Sequence, residues 1–161
     1  MKYIIIHHSG GTDANPKADS SNYTVAQCNQ DHKIRFNMLS SLGYYVGYHY
    51  IITKDGTITQ CRKDDEESAA TIGHNKDSLN VMLCGNFDIQ LPTTAQIEAL
   101  KGFLQQKADL YSIPLYNIVP HRHFAQKSCY GNLLPDNWGQ QIYLGGKISF
   151  LRRLIWTLFG I

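Results

Sequence analysis

A chain of 161 residues, 43% hydrophobic and 17% charged, has the size and make-up of one globular domain with its own core, which excludes a disordered or fibrous protein. A formal net charge of +2 and the lack of any Lys/Arg-rich run exclude nucleic acid as an expected partner.

Lys2 leads directly into the apolar run Tyr3-Ile4-Ile5-Ile6. That run is too short for a signal h-region and no small-residue cleavage site follows, so the expectation is a protein made in the cytosol without a signal peptide. Tyr3 to His8 reads as a buried strand ended by Ser9-Gly10-Gly11, and the Gly/Asp/Asn/Ser/Pro-rich stretch 10–22 reads as a loop. Thr24 and Gln27 have capping-box spacing and open a helix expected to reach about Leu39. Gly47 to Thr53, the turn Asp55-Gly56 and Thr57 to Gln60 form a hairpin signal. Asn80 to Gly85 reads as a second buried strand. Thr93 and Gln96 repeat the capping box and open a helix to about Tyr111, with Ile97, Leu100, Phe103, Leu104 and Leu110 as its core stripe.

Strands alternating with two long helices predict a single α/β domain with a mixed central sheet packed by helices; the strand order stays open. Residues 1–146 form this domain and 147–161 a separate tail. In the tail Ile148, Leu151, Leu154, Ile155, Leu158 and Phe159 share one helical face. Such a face is expected to dock on the domain or on a second copy, or else to lie at a membrane surface with Arg152, Arg153 and Trp156. The four cysteines, Cys28, Cys61, Cys84 and Cys129, do not read as a disulfide framework in a chain of this size, and Cys84 in its apolar run reads as a small buried hydrophobe.

Histidines carry the chemical signal, because they are grouped. His7 and His8 end the first strand, where a side chain can leave the core for a cleft. Further on, His121, His123, Lys127 and Cys129 fall within nine residues that have little regular structure expected. Two imidazoles and one thiolate suit a catalytic zinc, which takes three protein ligands and keeps a fourth position for a water of lowered pKa. The bland alternative is a surface loop with a buried thiol, and spacing does not decide which histidine of each pair would bind. His32 lies in the first helix with no partner implied.

Ile4-Ile5-Ile6-His7-His8-Ser9, Gly47-Tyr48-His49-Tyr50-Ile51-Ile52 with Asp55-Gly56, Ile72-Gly73-His74-Asn75 followed by Asn80 to Phe87, and Val119-Pro120-His121-Arg122 through Cys129 together resemble the type 2 N-acetylmuramoyl-L-alanine amidases. That family includes phage lysozyme-amidases and animal peptidoglycan recognition proteins. The resemblance covers about residues 3 to 138, with the motifs in the family's order. It implies a zinc site in a surface cleft, with His7, His121 and Cys129 as ligands and Tyr48 and Lys127 as catalytic residues. It places His74 either at the substrate groove or in a loop-holding role, and leaves His8, His49 and His123 as supporting or structural residues. The implied activity is zinc-dependent hydrolysis of the lactyl–L-alanine amide of peptidoglycan or muropeptides, on the cell wall after release, in the manner of a phage endolysin. The alternative is a module that binds peptidoglycan without cutting it; such relatives typically lack the cysteine ligand, which is present here. The sequence departs from the family twice: Tyr130-Gly131 follows the cysteine where proline is common, and Cys61 precedes Arg62 where glycine is common.

Overall fold

A computed structural model describes residues 1–145, and the expected tail over 147–161, with its boundary at 146, lies outside them. The N-terminal apolar run forms strand β1 (Tyr3–His8). Helix α1 (Val25–Arg35) follows, then the hairpin strands β2 (Tyr50–Ile52) and β3 (Ile58–Gln60), and then β4 (Ser78–Leu83). Helix α2 (Thr94–Leu110) leads to a short strand β5 (Ile118–Pro120), and a third helix, α3, occupies residues 138–145.

The sheet has the order β3-β2-β4-β1-β5. β4 is central; β1 lies beside it, parallel to β4 on one side and to the edge strand β5 on the other; β2 is parallel to β4, and only β3 runs antiparallel. This is the expected mixed sheet. β1 and β4 are buried on both faces, which is why they read as continuous apolar runs rather than alternating ones.

Strand alternation divides the core in two. Ile4, Ile6, Tyr50, Ile52, Leu79, Val81 and Leu83 pack with Leu100, Phe103, Leu104 and Ala108 of α2. On the other face Ile51, Met82 and Cys84 pack with Cys28 of α1, Val46 and Cys61. His7 has the parity of this second face, so it leaves the α2 core and points towards the α1 side. All four cysteines are free thiols and all are buried.

Both capping boxes form as expected, at Thr24/Gln27 and Thr93/Gln96. Gln96 also donates to the carbonyls of Cys84 (2.8 Å) and Ile52 (3.4 Å), which fixes the start of α2 to the ends of two strands. Helix α1 stops at Arg35, short of Leu39, because Asn37 takes a left-handed conformation (φ 48°) and turns its N–H back onto the carbonyls of His32 and Lys33. Leu110, expected in the core stripe, is 64% exposed; the buried face of α2 ends at Ala108. β4 starts two residues earlier than expected because Ser78 and Leu79 pair with Tyr3 and Ile4, and Ser78 satisfies its hydroxyl on the carbonyl of His74. No helix among the described residues is long and apolar enough to cross a membrane.

Candidate functional site

Parallel pairing of β1 with β5 sets Ile6 opposite Pro120, so the next residues, His7 and His121, emerge side by side with ring centroids 4.5 Å apart. Pro120 is tolerated there because β5 is an edge strand. Cys129 reaches the same place on a loop pinned at several points. Arg122 accounts for most of them: its N–H donates to Cys129 O (2.7 Å), and its guanidinium donates to the carbonyls of Gly131 (2.8 Å), Leu134 (2.6 Å) and Ser128 (3.3 Å). Asp88 accepts from the hydroxyl of Ser128 and the N–H of Asn132, both at 2.7 Å. Tyr130, which stands where the family commonly has proline, is fully buried against Trp138, and the Cys129–Tyr130 peptide is cis.

The result is one compact donor cluster among the described residues: ligand atoms of His7, His121 and Cys129 lie within 4.8 Å of one another. Cys129 Sγ is 3.8 Å from His7 Nδ1 and accepts from the N–H of His8 at 3.4 Å. Burial, reinforced by the neighbouring His121, holds His7 well below the ordinary imidazole range. Burial and the Lys127 charge hold His121 at about 4. Burial pushes the Cys129 thiol up to about 12. Both imidazoles are therefore neutral at physiological pH with lone pairs to offer, and a metal entering the cluster displaces the thiol proton. Two nitrogens and one sulfur are a zinc-type donor set with a coordination position left for a non-protein ligand.

The cluster opens into a groove of about 600 Å³, also lined by Tyr48, Lys127, His32, Arg35 and Asp88. Tyr48 lies just before β2 rather than within it, yet its segment is fixed on both sides. Arg62 Nε donates to Val46 O at 2.7 Å, Gly47 N–H donates to His32 Nδ1 at 2.8 Å, and His49 exchanges two bonds with the backbone of Asn80. The Tyr48 ring rests 5.0 Å from that of His7 and 5.4 Å from that of His32. Burial raises its phenol, so it keeps its proton across the physiological range. Lys127 is exposed at the groove, and its charge is felt by both His7 and His121.

The remaining histidines separate clearly. His123 is exposed and packs edge-on against Phe124, away from the cluster. His8 has the opposite strand parity to His7 and uses Nδ1 to accept from Phe87 N–H at 3.0 Å. His49 is fully buried and structural. His74 is not among the residues lining this groove: its ring meets Tyr3 edge-on and lies tilted 4.0 Å from that of Phe124, and its Nδ1 is 3.2 Å from Asp77. These contacts tie its loop to β1 and to Phe124. His32, without an expected partner, proves to anchor the Tyr48 segment. Asn80, Asp88 and Arg62 were not singled out from sequence as parts of the site. Asn80 carried a usable signal, since a polar residue inside an apolar strand run has to be bonded to something.

The sequence model of a family described as N-acetylmuramoyl-L-alanine amidase matches residues 1–132. Peptidoglycan-recognition protein SC2 of Drosophila melanogaster is 29% identical over 133 residues, 81% of this chain and 68% of that protein. The endolysin of Enterobacteria phage K11 is 35% identical over 89 residues, 52% of this chain and 58% of that protein. The solved structure of the endolysin N-acetylmuramoyl-L-alanine amidase LysCS from Clostridium intestinale shares the fold, with a TM-score of 0.69 at 23% identity over 93% of this chain and 83% of that one. With a match that spans every residue of the His/His/Cys cluster, the chain belongs to the N-acetylmuramoyl-L-alanine amidase family.

Proposed function

We propose that this protein is a zinc-dependent amidase that hydrolyses the amide between the lactyl group of N-acetylmuramic acid and L-alanine in peptidoglycan. The observation that carries the proposal is the cluster of His7, His121 and Cys129 at the base of an open groove. Three neutral, buried donors without a fourth protein ligand among the described residues fit a catalytic zinc better than a closed structural site. The family supplies the substrate class, and relatives named as endolysin and as peptidoglycan-recognition protein support it.

Bound to these three residues, a zinc ion supplies Lewis-acid polarisation of the scissile carbonyl and of a water molecule. The rest is assigned to side chains. The ammonium of Lys127 faces the groove and stabilises the negative charge that develops on the carbonyl oxygen, commonly the largest electrostatic contribution to acyl transfer. Tyr48 retains its proton and acts as a hydrogen-bond donor beside His7, orienting water or carbonyl rather than abstracting a proton. In the net reaction the carbon–nitrogen bond breaks, the lactyl carbon takes the water oxygen, and the alanine nitrogen takes a proton.

Digestion of purified sacculi with zinc-loaded protein, followed by mass spectrometry, tests the proposal. The expected products are stem peptides with a free L-alanine amino terminus and glycan strands with free lactyl carboxylates. Products with new reducing sugar ends, or peptides cut internally, would mean a different hydrolase. Tight binding to sacculi with no product would instead make it a binding module.

A further inference from the structure

We propose that Asn80 is the positioning residue of the metal site, holding His7 in the tautomer that presents Nδ1 beside Cys129. This rests on the zinc site proposed above. Asn80 has no solvent exposure and stands on β4, the strand next to His7. Its side-chain oxygen lies 2.8 Å from His7 Nε2. Which atom donates in that contact decides what His7 can do, because one ring nitrogen of a neutral imidazole carries the proton and the other the lone pair.

The surrounding bonds decide it, starting from backbone groups whose direction is fixed. Asn75 Oδ1 accepts from the N–H groups of Ala70 (3.0 Å) and Thr71 (2.8 Å), so it is the oxygen of that amide. Ser68 Oγ, 3.0 Å from this oxygen and 3.3 Å from Asn75 O, spends its only proton there. Ser78 Oγ spends its proton on the carbonyl of His74. Both hydroxyls are therefore acceptors towards Asn80, and they take the two protons of its Nδ2 at 3.0 and 2.8 Å. That fixes which end of the Asn80 amide is oxygen, a choice otherwise ambiguous in an amide. The oxygen accepts from Thr71 Oγ1 at 2.9 Å and from His7.

His7 must then carry its proton on Nε2, and its lone pair sits on Nδ1, 3.8 Å from Cys129 Sγ. The backbone of Asn80 is held as firmly: its N–H donates to His49 Nδ1 at 3.0 Å, and its carbonyl accepts from His49 N–H at 2.9 Å. Ser68, Thr71 and Asn75, from the segment before β4, and Ser78, its first residue, thus act through one amide on one ring. A ligand imidazole with its other nitrogen bonded is fixed in orientation and is a better base, and loss of such a partner typically lowers metal affinity about 10–100-fold.

Two measurements test this, neither of them amidase activity. In the unmodified, zinc-free protein, nitrogen NMR of His7 should report Nε2–H with an unprotonated Nδ1; a proton on Nδ1 would overturn the proposal outright. Zinc affinity by chelator competition should fall about 10–100-fold in Asn80→Leu, which removes the acceptor. It should recover in large part in Asn80→Asp, which restores an oxygen to His7. Urea unfolding of each variant reports stability separately. A merely structural role predicts lower stability in both variants with zinc affinity of the folded protein unchanged, and that result refutes the proposal. If Asn80→Leu does not fold, the NMR result in the unmodified protein decides alone. Tight zinc binding with the expected tautomer but no product from sacculi would sink the amidase reading and leave this one standing.

Discussion

Replacement of Arg62 by methionine should cost more than its distance from the groove suggests. Arg62 is 1% exposed, and its guanidinium is hydrogen-bonded to backbone carbonyls. It donates to Val46 O at 2.7 Å and to Met38 O through a short bond, and more weakly to Glu67 O at 3.4 Å. Burial lowers its pKa, with Glu66 partly compensating. Each of the two short charge-assisted bonds is worth about 1.5–3 kcal/mol, so roughly 3–6 kcal/mol of interaction disappears. Methionine fills much of the volume and relieves the desolvation of a buried cation, but it leaves the carbonyls without donors. The net loss should be about 2–4 kcal/mol, a large part of the 5–15 kcal/mol a domain of this kind possesses. In thermal unfolding that corresponds to a drop in Tm of roughly 4–16 °C. Arg62→Lys should recover little, because a single ammonium nitrogen lacks the planar fork whose Nε and Nη2 serve Val46 O and Met38 O separately. Val46 is two residues before Tyr48, so turnover of the folded Arg62→Met protein should fall while zinc content holds. A urea-unfolding loss below about 1 kcal/mol, or full rescue by lysine, would mean that these carbonyls do not depend on the Arg62 guanidinium.

His121→Ala should abolish stoichiometric zinc, while His123→Ala, at an exposed residue outside the cluster, should keep it; equal losses would mean the donor set is misassigned. Tyr48→Phe and Lys127→Ala should both bind zinc and lose turnover, Lys127→Ala on the order of a hundredfold, and an unchanged rate removes that residue from the mechanism. Burial holds His8 and His32 at about 4 in the folded protein, against about 6.5 when unfolded. The stability they contribute is therefore fully present above about pH 6.5 and is lost as pH falls from there towards 4, by about 1–2 kcal/mol per histidine at pH 5. Urea midpoints of the zinc-free protein at pH 7.5 and 5 check this, and equal midpoints would contradict it.

Much of the scaffold was legible because its signals are local. Both capping boxes, the Asp55-Gly56 hairpin turn and the apolar run of β1 each depend on a few adjacent residues. β5 was not legible: a three-residue strand ending in proline has no period of its own and exists because β1 offers it an edge. That pairing is also what brings His121 rather than His123 to His7, so spacing alone left the pair ambiguous. The end of α1 turned on one asparagine in a left-handed conformation, which propensity does not reveal. His32 and Asn80 escaped for a different reason. Their partners are 15 and 73 positions away, and a hydrogen bond across that separation leaves no periodic trace in the chain.

His7, His121 and Cys129 are proposed to form a hydrolytic zinc site acting on the lactyl–L-alanine bond. The most direct measurement is the rate at which new L-alanine amino termini appear from sacculi, for the zinc-loaded protein and for Cys129→Ala under the same conditions. Steady release is expected from the native protein, and loss of both release and bound zinc in the variant. Equal release from the two proteins, or none from the zinc-loaded native protein on sacculi of several peptide chemistries, would contradict the proposal.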